Sequence, residues 1–130
     1  MKILLSIKPE FAELILSGKK AYEFRRVRFR NKAVRSALIY ATQPIGKIVG
    51  QFDIRKVISG TPRTVWRKTR AQAGVTHSLF TDYFQGRAIA HALVVSNTKR
   101  FRRPLDLSTV VPSGVAPQSF SYVAAWPARL

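Results

Sequence analysis

Lys20, Glu23 and Arg25 stand close together in the run Gly18-Lys19-Lys20-Ala21-Tyr22-Glu23-Phe24-Arg25-Arg26, and the basic character continues through Arg28, Arg30, Lys32 and Arg35. From Lys19 to Arg35 there are eight positive side chains and a single negative one, Glu23. A stripe of that density repels itself unless salt or a polyanion screens it. Arginine offers a planar fork to phosphate, and an acid surrounded by Lys20, Arg25 and Arg26 stays ionised, where it orients the arginine or accepts from a base amino group. The plainer alternative is a surface ion pair on a strand, which contributes little to stability. Tyr22, Phe24, Val27 and Phe29 interleave with the charges, so the stretch reads as a charged strand on a folded body rather than as a disordered basic tail.

The elements that must hold these residues follow from the totals and the patterning. The chain has 130 residues, 46% of them apolar, enough for one domain over residues 1–130 with a real core. Lysine and arginine number 23 against 6 acids, a net charge of +17, which points to nucleic acid as the large partner. An anionic membrane is the competing polyanion, but no basic amphipathic helix and no apolar run of spanning length is present. The chain has no cysteine, so disulfides, thiolate catalysis and zinc-thiolate sites are excluded. Cytoplasmic residence is the expectation. The apolar run in Met1–Ile7 is too short for a signal peptide and reads as a first strand.

In that strand Ile3, Leu5 and Ile7 alternate, after which Pro9 opens a helix with Phe11, Leu14 and Ile15 on its apolar face and Gly18 as its stop. The charged stretch is then the second strand, with Tyr22 and Phe24 on the inward face and Glu23 and Arg25 toward a groove. Lys20 joins Glu23 only if it precedes the strand proper. Ser36–Thr42 reads as a third strand and Lys47 to about Ile58 as a longer fourth, with Gly50 marking a bulge or bend. Thr61-Pro62 starts a second helix and Thr76 or Ser78 a third, which stops near Gly86. Arg87–Ser96 alternates as a strand, a second basic cluster (Lys99, Arg100, Arg102, Arg103) follows, and a last short strand lies in Ser119–Val123. Short strands outnumbering helices describe an α+β chain, a small closed or half-closed barrel with one helix at its open end.

Other candidates are weaker. Arg26, Arg28, Arg30, Lys32 and Arg35, with Lys99, Arg100, Arg102 and Arg103, are candidate phosphate contacts, which give affinity and salt dependence without reading sequence. Tyr40, Tyr122 and Trp126 are candidates for stacking on unpaired bases, although burial is the commoner fate of such rings, and Trp66 is assigned to the core. His77 and His91 are far apart in sequence and read as structural. Asp53 and Glu23, if close on neighbouring strands, leave room for a divalent ion, but no ligand spacing demands one, and no other cofactor is indicated.

The run Gly18-x-Lys20-x-x-Glu23-x-Arg25 resembles the signature of the ASCH domains, whose fold is similar to that of the PUA domains. Leu5-Ser6-Ile7-Lys8-Pro9, Tyr40-Ala41-Thr42 with Pro44, Lys47-Ile48-Val49-Gly50 and Pro117-Gln118-Ser119-Phe120 extend the resemblance, so that it covers residues 3 to about 122. A PUA-like small mixed β-barrel flanked by short helices is therefore expected. The resemblance implies binding of RNA, in single-stranded form, in a basic cleft beside the signature strand with its Lys20, Glu23 and Arg25, and the basic clusters add Arg26, Arg28 and Arg100 as contacts. It also brings three alternatives: a ribonuclease acting on single-stranded RNA, in which Tyr40, Lys47 and Ser119 take the roles of that branch's tyrosine, lysine and serine; a transcriptional regulator binding duplex DNA, for which no recognition-helix pattern is present; and an amidohydrolase of modified nucleosides. In the amidohydrolase branch a threonine serves with the lysine, and here Glu23 holds the threonine's position, which removes that nucleophile.

Overall fold

The structure, a computed structural model, describes residues 1–123. Trp126 lies outside the described residues. The chain runs β1 (Lys2–Ile7), α1 (Pro9–Leu16), β2 (Tyr22–Arg25), β3 (Ser36–Ala41), β4 (Lys47–Gly60), α2 (Pro62–Thr69), α3 (His77–Tyr83), β5 (Ala90–Leu105) and β6 (Phe120–Val123). The strands form one six-stranded sheet in the order β2-β5-β4-β3-β1-β6. Only β1 and β3 pair in parallel, so the sheet is mixed. It curls into a half-barrel of the expected α+β, PUA-like type. No helix among the described residues is long and apolar enough to cross a membrane.

Local chemistry explains the helix ends. Pro9 and Pro62 occupy the first turns of α1 and α2, where a missing N–H costs nothing, and the side chains of Thr61 and Thr76 cap α2 and α3 by accepting from Thr64 N–H and Leu79 N–H. The principal core joins alternate residues of β1 and β3 (Ile3, Leu5, Ile7, Ala37, Ile39, Ala41) to Ala12 and Ile15 of α1. A second cluster lies among Leu4, Leu38, Tyr40, Ile48 and Phe101, and a third places Phe24, Ala90 and Ala92 under Val65 of α2 and Phe80 of α3. Gly50 marks an irregular register on both sides of β4, with shifts at Ile39/Tyr40 and at Ile48/Gly50. A Cβ there would lie 2.5 Å from the Lys99 carbonyl oxygen and 2.8 Å from a Leu16 methyl, so only glycine lets β5 and α1 approach this closely.

Three expectations need correction. The second strand does not carry the whole charged stretch: β2 ends at Arg25, whose register partner is His91, one residue from the start of β5 at Ala90, so the pairing partner runs out. Arg26 to Arg35 is an irregular connection instead. The basic cluster Lys99–Arg103 does not follow a strand but lies inside β5, because the 14-residue β4 offers a partner as far as Ile48↔Leu105. Glu23 and Asp53 are not on neighbouring strands either, since β5 separates β2 from β4 and Asp53 binds Asn97 across that pairing.

Candidate functional site

Glu23 and Arg25 leave the opposite face of β2 from Phe24, and both are nearly buried, at 6% and 8% exposure. The Arg25 guanidinium donates to Glu23 Oε2 at 3.1 Å, and its other terminal nitrogen donates to the Ser119 carbonyl at 2.7 Å and to Ser119 Oγ at 3.1 Å. Arg25 Nε is buried and has no hydrogen-bond partner among the described residues. β2 and the start of β6 are the two outer edges of the sheet, so this arginine spans the seam of the half-barrel.

Lys20 precedes β2, which frees it from the strand's alternation. It is 2% exposed, and its Nζ donates to the Ala73 carbonyl at 2.8 Å while sitting 4.5 Å from the centroid of the Phe24 ring. Burial among these groups pushes its pKa down to about 8, with the Glu23 carboxylate acting in the opposite direction. Gly74 makes room for it: with φ at +70°, a Cβ there would meet Lys20 Cγ at 2.5 Å.

These groups form one end of a cleft of about 700 Å³ at the seam. Phe11 of α1, Phe80 and Tyr83 of α3, and Gln118 and Ser119 ahead of β6 complete its walls. Arg26 is exposed at its rim and lies over the Tyr83 ring at 4.3 Å. Phe11 and Tyr83 carry no motif, and nothing in the sequence marks them as lining a site. The one available signal was the aromatic density of α3, which looks the same in sequence whether the rings face a core or a cleft.

The remaining candidates are distributed as follows. Arg28 lines a second concavity, which shares Arg26 and Val27 with the cleft. Arg100 lies outside both, held by α1 through a two-pronged pair with Glu13 at 2.8 and 2.9 Å that also lowers the Glu13 pKa. Of Tyr40, Lys47 and Ser119, Ser119 alone lines the cleft. Tyr40 is the register partner of Ser6, another lining residue, whose hydroxyl donates to the Pro117 carbonyl at 2.7 Å. Lys47 begins β4 and is paired with Asp106. Tyr122 is turned to a structural task, its hydroxyl accepting from the backbone N–H groups of Arg30 and Asn31 at 3.0 and 3.2 Å. Trp66 is partly buried against Phe80 and meets the His77 ring at a tilt, with centroids 5.0 Å apart, while His91 Nδ1 meets Ser59 Oγ at 2.7 Å. Among the described residues no three His, Asp or Glu side chains gather as metal ligands.

A curled mixed half-barrel with a cleft at its seam defines a PUA-like α+β protein. The ASCH domain family model matches residues 5–104, and the chain belongs to that family. It is 33% identical over 105 residues to an ASCH domain-containing ribonuclease of Zymomonas mobilis, covering 80% of this chain and 70% of that protein. It is 34% identical over 117 residues to the large ribosomal subunit protein uL22 of Ureaplasma parvum, of which it spans only 37%. The crystal structure of ASCH from Zymomonas mobilis superposes with a TM-score of 0.85 at 30% identity, over 94% of this chain and 87% of that one. Crystal structures of a tyrosine-to-phenylalanine and a serine-to-alanine mutant of the same protein superpose equally well, with a TM-score of 0.85 for each.

Proposed function

We propose that the protein binds single-stranded RNA in the seam cleft, with Lys20, Glu23, Arg25 and Arg26 meeting one nucleotide and its phosphate. The observation that carries this is the cleft itself, which places a buried cation, a buried Arg–Glu pair and a wall of aromatic rings around one space. Unpaired bases stack on such rings, whereas duplexes hide theirs. The ribonuclease relative in the same family supports RNA as the polymer. Fluorescence anisotropy with a labelled single-stranded oligonucleotide tests it. Affinity should fall steeply with salt, and Arg26→Glu should weaken it at least about tenfold, since a rim cation is replaced by an anion facing phosphate. Equal affinity of the variant and the parent protein would reject the cleft.

A second reading is cleavage of that RNA. It is favoured by the register that sets Tyr40 opposite Ser6, a cleft-lining residue, with Lys47 opposite Ala41 on the next strand and Ser119 in the cleft wall. The Lys47 ammonium would stabilise the charged phosphorane, while the Tyr40 and Ser119 hydroxyls would move protons. Incubation of purified protein with an end-labelled oligonucleotide decides between binding and cleavage. Loss of products in Lys47→Ala supports cleavage by this group, and products that persist in that variant reject it.

A further inference from the structure

We infer that the cleft is only the first part of a longer track, and that the connection from Arg26 to Lys32 forms a second groove which takes the sugar-phosphate backbone of the same RNA strand beyond the nucleotide held at the seam. The inference rests on the RNA reading above and extends it to a surface that reading meets only at Arg26.

The second concavity is also about 700 Å³, and it is lined by Arg26, Val27, Arg28, Phe29, Arg30, Asn31, Lys32 and His91. Arg26 and Val27 line both spaces, so the two adjoin at these residues. Their chemistry differs. The seam cleft has aromatic walls and includes Glu23 and Asp82, whereas the second groove has four Lys or Arg side chains and no carboxylate. Among the described residues none of Arg26, Arg28, Arg30 and Lys32 has an acidic partner, and all four are exposed. The local surplus of positive charge also reaches His91, whose pKa is lowered by burial and by Arg28.

The connection is held in place although it has no regular secondary structure. Phe29 and Val34 are buried in the principal core, and Phe29 packs edge-on against Phe120 at 6.5 Å. Tyr122 Oη accepts from the N–H groups of Arg30 and Asn31, and Asn31 Oδ1 accepts from Ala33 N–H at 2.9 Å. Four anchors thus present Arg28, Arg30 and Lys32 outward around a buried phenylalanine. Cations fixed in advance lose less freedom when they meet a ligand than cations on a mobile tail. A cavity of this volume suits one drug-sized ligand, about one nucleotide. The nearby groove with cations but no acid and few rings therefore suits the phosphates of the next residues rather than a second base.

A length series separates the track from the cleft. Binding of fluorescein-labelled oligouridines of two and eight residues is measured for the full chain and for Arg28→Gln/Arg30→Gln/Lys32→Gln. The variant should lose about tenfold or more in affinity for the octamer, its salt slope should shrink by about 2 because three single-strand phosphate contacts are gone, and its affinity for the dimer should stay within about twofold. Equal losses for both lengths, or no loss for either, would overturn the track. Binding of neither length by the parent protein sinks the RNA reading itself, which is a different outcome from an unaltered variant. All three substituted side chains are exposed, and a matching thermal melt checks that the variant is folded. If it is not, Tyr122→Phe is the second test: it removes the hydroxyl that holds Arg30 and Asn31, and it should weaken octamer binding alone, while an unchanged octamer affinity counts against the track.

Discussion

Arg25 ends one edge strand of the sheet and Ser119 immediately precedes β6, the strand at the opposite edge, yet the arginine donates to the Ser119 carbonyl at 2.7 Å and to its hydroxyl at 3.1 Å. The guanidinium does at the seam what a seventh strand would do in a closed barrel. It also neutralises Glu23, a buried carboxylate whose other nearby cation, Lys20, is bonded to the Ala73 carbonyl. Arg25→Met should therefore destabilise the fold by about 3–5 kcal/mol, the cost of breaking a buried pair from one side. Adding Glu23→Gln should recover part of that loss. Urea unfolding of the single and double variants measures both, and a double variant no more stable than Arg25→Met contradicts the account.

Lys20 gives a pH signature. Its pKa falls from the ordinary 10.5 to about 8, chiefly through burial. Between those values the unfolded chain binds a proton that the folded chain has released, so this residue's contribution to stability rises with pH across the interval. Below about pH 8 the folded protein carries the full penalty of a buried ammonium. The difference in unfolding free energy between the parent and Lys20→Met should change between pH 8 and pH 10.5 and be flat below that window. A difference independent of pH would show that Lys20 titrates normally.

Anion binding should follow the same group in the opposite sense. As the Lys20 ammonium loses its proton above about pH 8, the cleft loses a cation, and RNA affinity at constant salt should decline. The Lys20→Met variant should bind more weakly at pH 7 and lack this decline. Anisotropy titrations at pH 7 and pH 9.5 make the comparison, and parallel declines in both proteins would assign the effect elsewhere.

Gly50→Ala should be costly despite adding one methyl group. The new Cβ would press on the Lys99 carbonyl, which is backbone, and on the Leu16 methyl. Overpacking of this kind costs about 1–3 kcal/mol. A thermal melt reads it, and an unchanged midpoint would mean that β5 or α1 shifts freely at this point.

Tyr83 and Arg26 should act together at the cleft rim. The ring supports the guanidinium at 4.3 Å, so Tyr83→Ala removes both a stacking face and the support of a cation. RNA affinity should fall by about 1–3 kcal/mol, the range for one base–aromatic contact, with Tyr83→Phe close to the parent protein. If Tyr83→Phe loses as much as Tyr83→Ala, the hydroxyl rather than the ring is the important group.

Much of this molecule is local and could be read as such. Alternation in Lys2–Ile7, prolines at the first turns of α1 and α2, Thr61 and Thr76 as caps and the bulge at Gly50 each depend on a few neighbouring residues, and the structure has them all. The basic stripe and its lone acid were legible for the same reason, because charge density is a property of composition along the chain. What the sequence could not show is where the stripe stops being a strand, since β2 ends where its partner β5 begins rather than at any local signal. It also could not separate Glu23 from Asp53, which the insertion of β5 between β2 and β4 decides. Arg25 reaching Ser119, 94 residues away, and Lys20 reaching the Ala73 carbonyl, 53 residues away, depend on how the sheet curls and on where the helices pack. Side-chain periodicity and capping are settled by near neighbours, whereas strand order and the meeting of two sheet edges are settled by which distant apolar faces bury each other, and that is why a groove beside the signature strand was readable and the distant residues that close it were not.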